Sequence, residues 1–159
     1  MTAQIKEVLI FQGETFAMAS EPLYPWLNRR RNKKIQFRRY STACSRGYVG
    51  TWEIIDDRLD LIKLRGKFMD GREVEISDLF PERPSPVLAD WFDGELRCPM
   101  GQLLGYVHSG YSSIYERDLF LKFKAGMLIE QRIVINESPP SAEECEKLML
   151  ACIDPKLKP

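Results

Sequence analysis

A mainly β fold closed by a C-terminal helix is what this sequence predicts, and three patterns predict it. Short apolar runs recur roughly every ten residues, separated by Gly, Asp and Pro turn signals. Two stretches alternate apolar and polar residues over seven or more positions, Arg58–Leu64 and Met127–Ile135, the period of a half-buried strand. The only helical signature stands last: Ser141 and Glu144 form a capping box, followed by Ala142, Cys145, Leu148, Met149 and Cys152 on one helical face. The expected architecture is an antiparallel sheet, or a partly open barrel or sandwich, of successive hairpins with a helix over 141–152, all in one domain over 1–159.

The elements follow in order. Val8–Phe11 and Thr15–Ala19 flank Gln12-Gly13-Glu14, an N-terminal hairpin within 1–20. Glu21–Leu27 holds Pro22 and Pro25, so it is a crossing segment or a helical turn begun near Pro25, and 21–46 is a basic connector. The antiparallel strands occupy 47–136. Tyr48–Ile55 and Arg58–Leu64 make a hairpin around Asp56-Asp57, and Asp70-Gly71 marks a tight turn in a third strand or small hairpin over Phe68–Ile76. Leu79–Pro86 is a proline-stiffened loop; Val87–Phe92 fits either a strand or one helical turn. Glu95–Pro99 and Leu103–His108 read as two strands around Met100-Gly101, and Asp118–Lys124 pairs with Met127–Ile135 through Ala125-Gly126. In that last hairpin Leu119, Leu121 and Phe123 share one face, and Ile129, Ile133 and Ile135 share another.

Composition bounds the classes. With 159 residues, 44% hydrophobic and 29% charged, the chain can bury a continuous core without staples. The apolar run near the N-terminus is too short for a signal-peptide core or a membrane span, so a cytoplasmic protein with no membrane partner is expected. Four cysteines (44, 98, 145, 152) show no C-x-x-C pair and only one histidine accompanies them, so no metal is expected and free thiols are. No phosphate-loop, dinucleotide or nucleophile-elbow motif is present, and no cofactor is expected.

Charge is uneven. Arg29, Arg30, Arg31, Lys33, Lys34, Arg38 and Arg39 fall within eleven residues that contain no acid, leaving sixteen bases against twenty-three acids elsewhere. Such a run is a solvated loop or a patch for an anionic partner, nucleic acid being the less favoured one because no RNA-binding fingerprint accompanies it. A second group, Arg46, Tyr48, Trp91, Arg97, His108, Tyr111, Tyr115 and Glu116, gathers arginine and aromatic residues near glycine-bearing strand ends, the chemistry of a recognition surface. Trp52 and Trp91 read more readily as core. Cys98 and His108 suggest a thiol–imidazole dyad if their strands lie opposite, and His108, Tyr111 and Glu116 a hydrolase-like cleft; neither carries a local catalytic signature.

Two segments, Ser41-Thr42-Ala43-x-x-Arg46-Gly47-Tyr48-x-Gly50-Thr51-Trp52-Glu53-Ile54 and Ala89-Asp90-Trp91-Phe92-x-Gly94-Glu95-Leu96-Arg97-x-Pro99-x-Gly101, with Tyr106–His108 and Gly110-Tyr111 through Tyr115-Glu116, resemble an uncharacterised family of small bacterial cytosolic proteins. That family often has a large aromatic at the position of Cys44 or Ser45, which implies that Cys44 is not a reactive group. The resemblance implies no activity; by analogy such domains bind other proteins, immunity proteins that block a toxin among them. The expected function is therefore non-enzymatic binding of a macromolecule, most readily another protein.

Overall fold

The computed structural model describes residues 3–39, 41–108 and 110–136. The helix expected over 141–152 lies outside them. Eight strands form one sheet: β1 (Glu7–Phe11), β2 (Glu14–Met18), β3 (Tyr48–Ile55), β4 (Arg58–Gly66), β5 (Val87–Leu88), β6 (Gly94–Gly105), β7 (Ile114–Lys124) and β8 (Met127–Ile135), in the order β2-β1-β3-β4-β8-β7-β6 with β5 on β4.

The hairpins β1–β2, β3–β4 and β7–β8 stand where the sequence places them. Their two-residue turns carry positive φ at both central positions: Gln12 (52°) and Gly13 (77°), Asp56 (51°) and Asp57 (62°), Ala125 (49°) and Gly126 (78°). That geometry matches the right-handed twist of the flanking strands. One of the expected elements differs. Residues 94–105 are one strand; at Met100-Gly101 its register against β7 shifts, and Gly101 (φ 81°) makes a bulge where two strands and a turn were expected. Over 68–76 the small hairpin of the two expected alternatives is present, closed by an isolated antiparallel bridge between Lys67 and Glu73. Phe68 N–H bonds Arg72 O (2.9 Å) around Gly71, and a helical turn missed by the sequence, α2 (Ile76–Leu79), follows.

The sheet is mixed, which corrects the antiparallel expectation. β1 runs parallel to β3, with Val8 beside Thr51 and Phe11 beside Ile54. Parallel neighbours cannot be joined by a tight turn. The chain between β2 and β3 makes the crossover, through α1 (Tyr24–Leu27, Pro25 in its first turn) and a 3-10 turn at Arg30–Asn32.

The sheet curls but does not close. Ala19 N–H donates to Arg97 O (2.8 Å), bringing the β2 end against β6, whereas β4 meets β8 only at Arg58 and Met127. The core inside the curve is aromatic: Trp26 lies 4.4 Å from Phe80, Phe80 stacks on Trp91 at 5.4 Å, and Trp91 meets Trp52 edge-on at 6.5 Å. Such pairs contribute about 0.5–1.5 kcal/mol each beyond their buried area. Trp91 Nε1 donates to Pro22 O (2.8 Å) and Asn32 Nδ2 to Trp26 O (2.8 Å), which fastens the crossover to the sheet. Among the described residues no helix is long and apolar enough to cross a membrane.

Candidate functional site

The arginine and aromatic residues singled out by the sequence separate into an inner and an outer set. The inner set surrounds Glu7. Alternation along β1 puts Glu7 on the face of Leu9 and Phe11, and its carboxylate is fully buried. It accepts three hydrogen bonds: from Arg46 Nη2 (2.9 Å), Gly50 N (2.7 Å) and Trp52 Nε1 (3.3 Å). Burial pushes the Glu7 carboxyl above its ordinary 4.5, and the guanidinium of Arg46 and the two N–H donors pull it back. Arg46 lies 5.5 Å from the Tyr48 ring centroid and its Nε is 3.9 Å from Glu21. Its Nε and Nη1 and the Tyr48 hydroxyl make no hydrogen bond among the described residues. Burial, together with Glu7 and Glu21, raises the Tyr48 hydroxyl far above its ordinary value.

Arg97 and Trp91 also hold the scaffold. Arg97 Nε pairs with Asp118 (2.9 Å), while Nη1 and Nη2 donate to the carbonyls of Tyr111 (2.7 Å) and Ser113 (3.1 Å), so one side chain fixes the whole 111–113 loop. The fork of the guanidinium makes this three-way grip available to arginine and not to lysine. Tyr111 OH reaches Ile5 O (3.4 Å), and burial raises its hydroxyl pKa despite Arg46. Trp91 is in the aromatic core described above.

His108, Tyr115 and Glu116 form the outer set, and among the described residues no hydrogen bond, ion pair or ring contact links one to another. His108 is exposed beyond the end of β6 with its ring edge-on to Tyr106 (4.4 Å). Tyr115 accepts a bond from Lys6 Nζ (3.2 Å), and Glu116 packs where a side chain at Gly101 would otherwise stand. Cys98 and His108 do not face each other from neighbouring strands: Cys98 lies within β6, opposite Leu119, and His108 follows that same strand. Burial and Asp118 push the Cys98 thiol up to about 12, so it is protonated and a poor nucleophile at neutral pH. Cys44 is likewise buried, its thiol facing Tyr48 O (3.5 Å). Among the described residues no three His, Cys, Asp or Glu side chains gather to hold a metal.

The basic run is divided by the fold. Arg29 and Arg31 line a depression of about 320 Å³ beside Trp26 that also contains Glu82 and Asp90, and Arg30, Lys33 and Lys34 are exposed outside it. Arg38 and Arg39 are carried to the end of β4, where Arg38 N–H donates to Lys67 O (2.7 Å) and Phe37 bridges Phe68. Gly47 makes this approach possible: at φ 81° a Cβ there would lie 2.9 Å from Phe37 Cβ and 3.0 Å from Arg38 O. A depression of about 870 Å³ results, lined by Arg38, Arg39, Arg65, Gly66 and Lys67. Its lining holds no acid, and none of the four cations belongs to an ion pair among the described residues, while the neighbouring Arg72 is paired with Asp78 (3.0 Å).

Comparison with family models, curated proteins and solved structures finds no match.

The site must therefore be read from its own chemistry. Sequence reasoning found Arg38 and Arg39 but missed Arg65 and Lys67. Their signal was present in Lys63-x-Arg65-x-Lys67, which period two assigns to one face. Glu7 was also missed, although a charged residue in phase with Leu9 and Phe11 is the mark of a buried partner.

Proposed function

We propose that this chain is a non-enzymatic binding protein whose partner is an acidic surface of another protein, engaged by Arg38, Arg39, Arg65 and Lys67. The observation that carries this reading is the acid-free lining of that depression, with four cations that no carboxylate of the described chain neutralises. Unneutralised charge concentrated in one hollow raises the local potential, attracts an anionic partner and speeds its encounter. Three of the four cations are arginines, whose planar forks grip carboxylates in two-point contacts. The rest of the chain carries an excess of acids, which suits a compact acidic patch on a partner better than a long polyanion lying across the molecule. An immunity-like role, blocking a toxin by covering its surface, is the specific version that the family resemblance supports.

A photo-crosslinking side chain at position 69, two residues beyond Lys67 and 63% exposed, tests the proposal in native cells. The expected product is a crosslinked protein with an acidic face, absent from the Arg38→Glu/Arg65→Glu variant. A crosslinked nucleic acid, or a product unaffected by that double charge reversal, refutes the assignment.

A further inference from the structure

Among the described residues β8 has one finished edge and one open edge. Its inner edge is paired to β7 from Met127 to Ile135; on the other side Met127 pairs with Arg58 and Leu128 N–H donates to Asp57 O (2.7 Å), and residues 129–135 meet no strand among the described residues. Asn136 N–H donates to Glu116 O (2.8 Å) across the β7 side, so by alternation the amides of Val134 and Arg132 also turn toward β7, and those of Gln131, Ile133 and Ile135 turn outward. The open edge is apolar at intervals, with Ile129, Ile133 and Ile135 exposed by 57%, 58% and 77%. Unpaired edges of this kind are templates for another strand.

The order of residues on β8 indicates which strand. Met127-Leu128-Ile129-Glu130-Gln131-Arg132-Ile133-Val134-Ile135 reads as three apolar residues, acid, amide, base, three apolar residues. Laid antiparallel against a copy of itself about Gln131, it sets Glu130 opposite Arg132 twice and Ile129 opposite Ile133 twice. The sheet already carries the matching charges: Glu95 stands opposite Lys122, and Lys122 opposite Glu130. A copy placed in that register continues the alternation with its own Arg132. The guanidinium is held ready on that face by Glu95 (Nη2 to Oε1, 3.1 Å) and by the Phe120 ring at 4.4 Å. Shifting the axis to Arg132 or to Glu130 would set two like charges against each other, and the axis at Gln131 sets opposite charges together twice.

We infer that β8 pairs edge to edge with β8 of a second copy, antiparallel about Gln131, making a two-fold dimer with a continuous sheet. The contact is short, below about 1,000 Å², so the association is weak and concentration-dependent.

Sedimentation velocity of the full chain from roughly 1 to 500 μM tests this. The expected result is a reversible dimer whose association constant falls about tenfold or more in Glu130→Arg and in Arg132→Glu, from two repulsive pairs each. Mixing those two variants restores dimers, because each then supplies the charge the other needs. Gln131→Pro abolishes the dimer while leaving the β7 pairing, since that amide faces outward. A chain that is monomeric throughout, or a dimer insensitive to Gln131→Pro, overturns the inference. So do outward amides at 131, 133 and 135 that stay protected from hydrogen exchange in dilute monomer, which would assign the edge to residues 137–159 of the same chain.

Discussion

At the scale of single residues, a buried carboxylate and its guanidinium control how this protein responds to pH. Glu7 has three donors but no water-facing surface, so removing Arg46 leaves a charge that only protonation can relieve. Arg46→Met is expected to destabilise the fold by about 3–5 kcal/mol at neutral pH. Without the guanidinium the Glu7 carboxyl rises further above 4.5, and the folded state then holds a proton that the unfolded chain has released. For a group raised on folding, its contribution is fully present below the unfolded value and is lost as pH climbs through the folded one. Urea midpoints of Arg46→Met should therefore fall between about pH 5 and pH 8 more steeply than those of the parent. A second test concerns Trp91: Phe there keeps the stack on Phe80 but leaves Pro22 O without its donor, an expected loss of about 1–3 kcal/mol in the same assay.

At the scale of elements, turn chemistry decided what could be read in advance. Hairpins announce themselves through alternating faces and through Gly or Asp at their tips, and all three two-residue hairpins were legible for that reason. The 94–105 strand was not, because Pro99 and Gly101 imitate a turn in sequence while the structure uses Gly101 as a bulge. The parallel β1–β3 pairing was hidden as well, since hydrophobic period reports a face and never a neighbour. Ile133 illustrates the same limit. It lies opposite Leu119 in register, yet Leu119 is buried and Ile133 is not, because the core ends across the sheet, between β7 and β8. The β7–β8 turn offers a paired test. Ala125 holds φ 49° in the open, so Ala125→Gly should stabilise by about 0.5–1 kcal/mol. Gly126 packs on the backbone, with a Cβ there only 2.6 Å from Ala89 O, so Gly126→Ala should cost about 2 kcal/mol or more. Thermal unfolding of the two variants, shifting in opposite directions, checks both.

At the scale of the whole molecule, the distribution of charge carries the functional argument. The sequence displays seven cations as one run, and the fold deals four of them to two separate hollows, Arg29 and Arg31 to one and Arg38 and Arg39 to the other, adding Arg65 and Lys67 to the second. A linear run is visible to any reader; a patch assembled from residues far apart in sequence waits on topology. The recognition set fared in the same way: Arg46, Tyr48, Trp91 and Arg97 are chemically suited to bind, and each has bound something inside its own chain. Because Arg38, Arg39, Arg65 and Lys67 make no ion pair among the described residues, Arg38→Glu/Arg65→Glu should leave the thermal midpoint nearly unchanged. Circular dichroism melts of that variant check this, and they separate lost binding from lost folding.

The parallel seat of β1 also has a consequence in time. Its two flanking strands are made at different moments: β2 follows at once, while β3 emerges only after the whole crossover has been synthesised. Until then the first hairpin is a two-stranded ribbon with Glu7 uncovered, too small to persist alone. Its lasting home depends on a loop closure whose entropy must be met before the contact forms. A nascent chain halted before Tyr48 should thus carry Glu7–Met18 open to protease, and one extended beyond Gly66 should protect that hairpin.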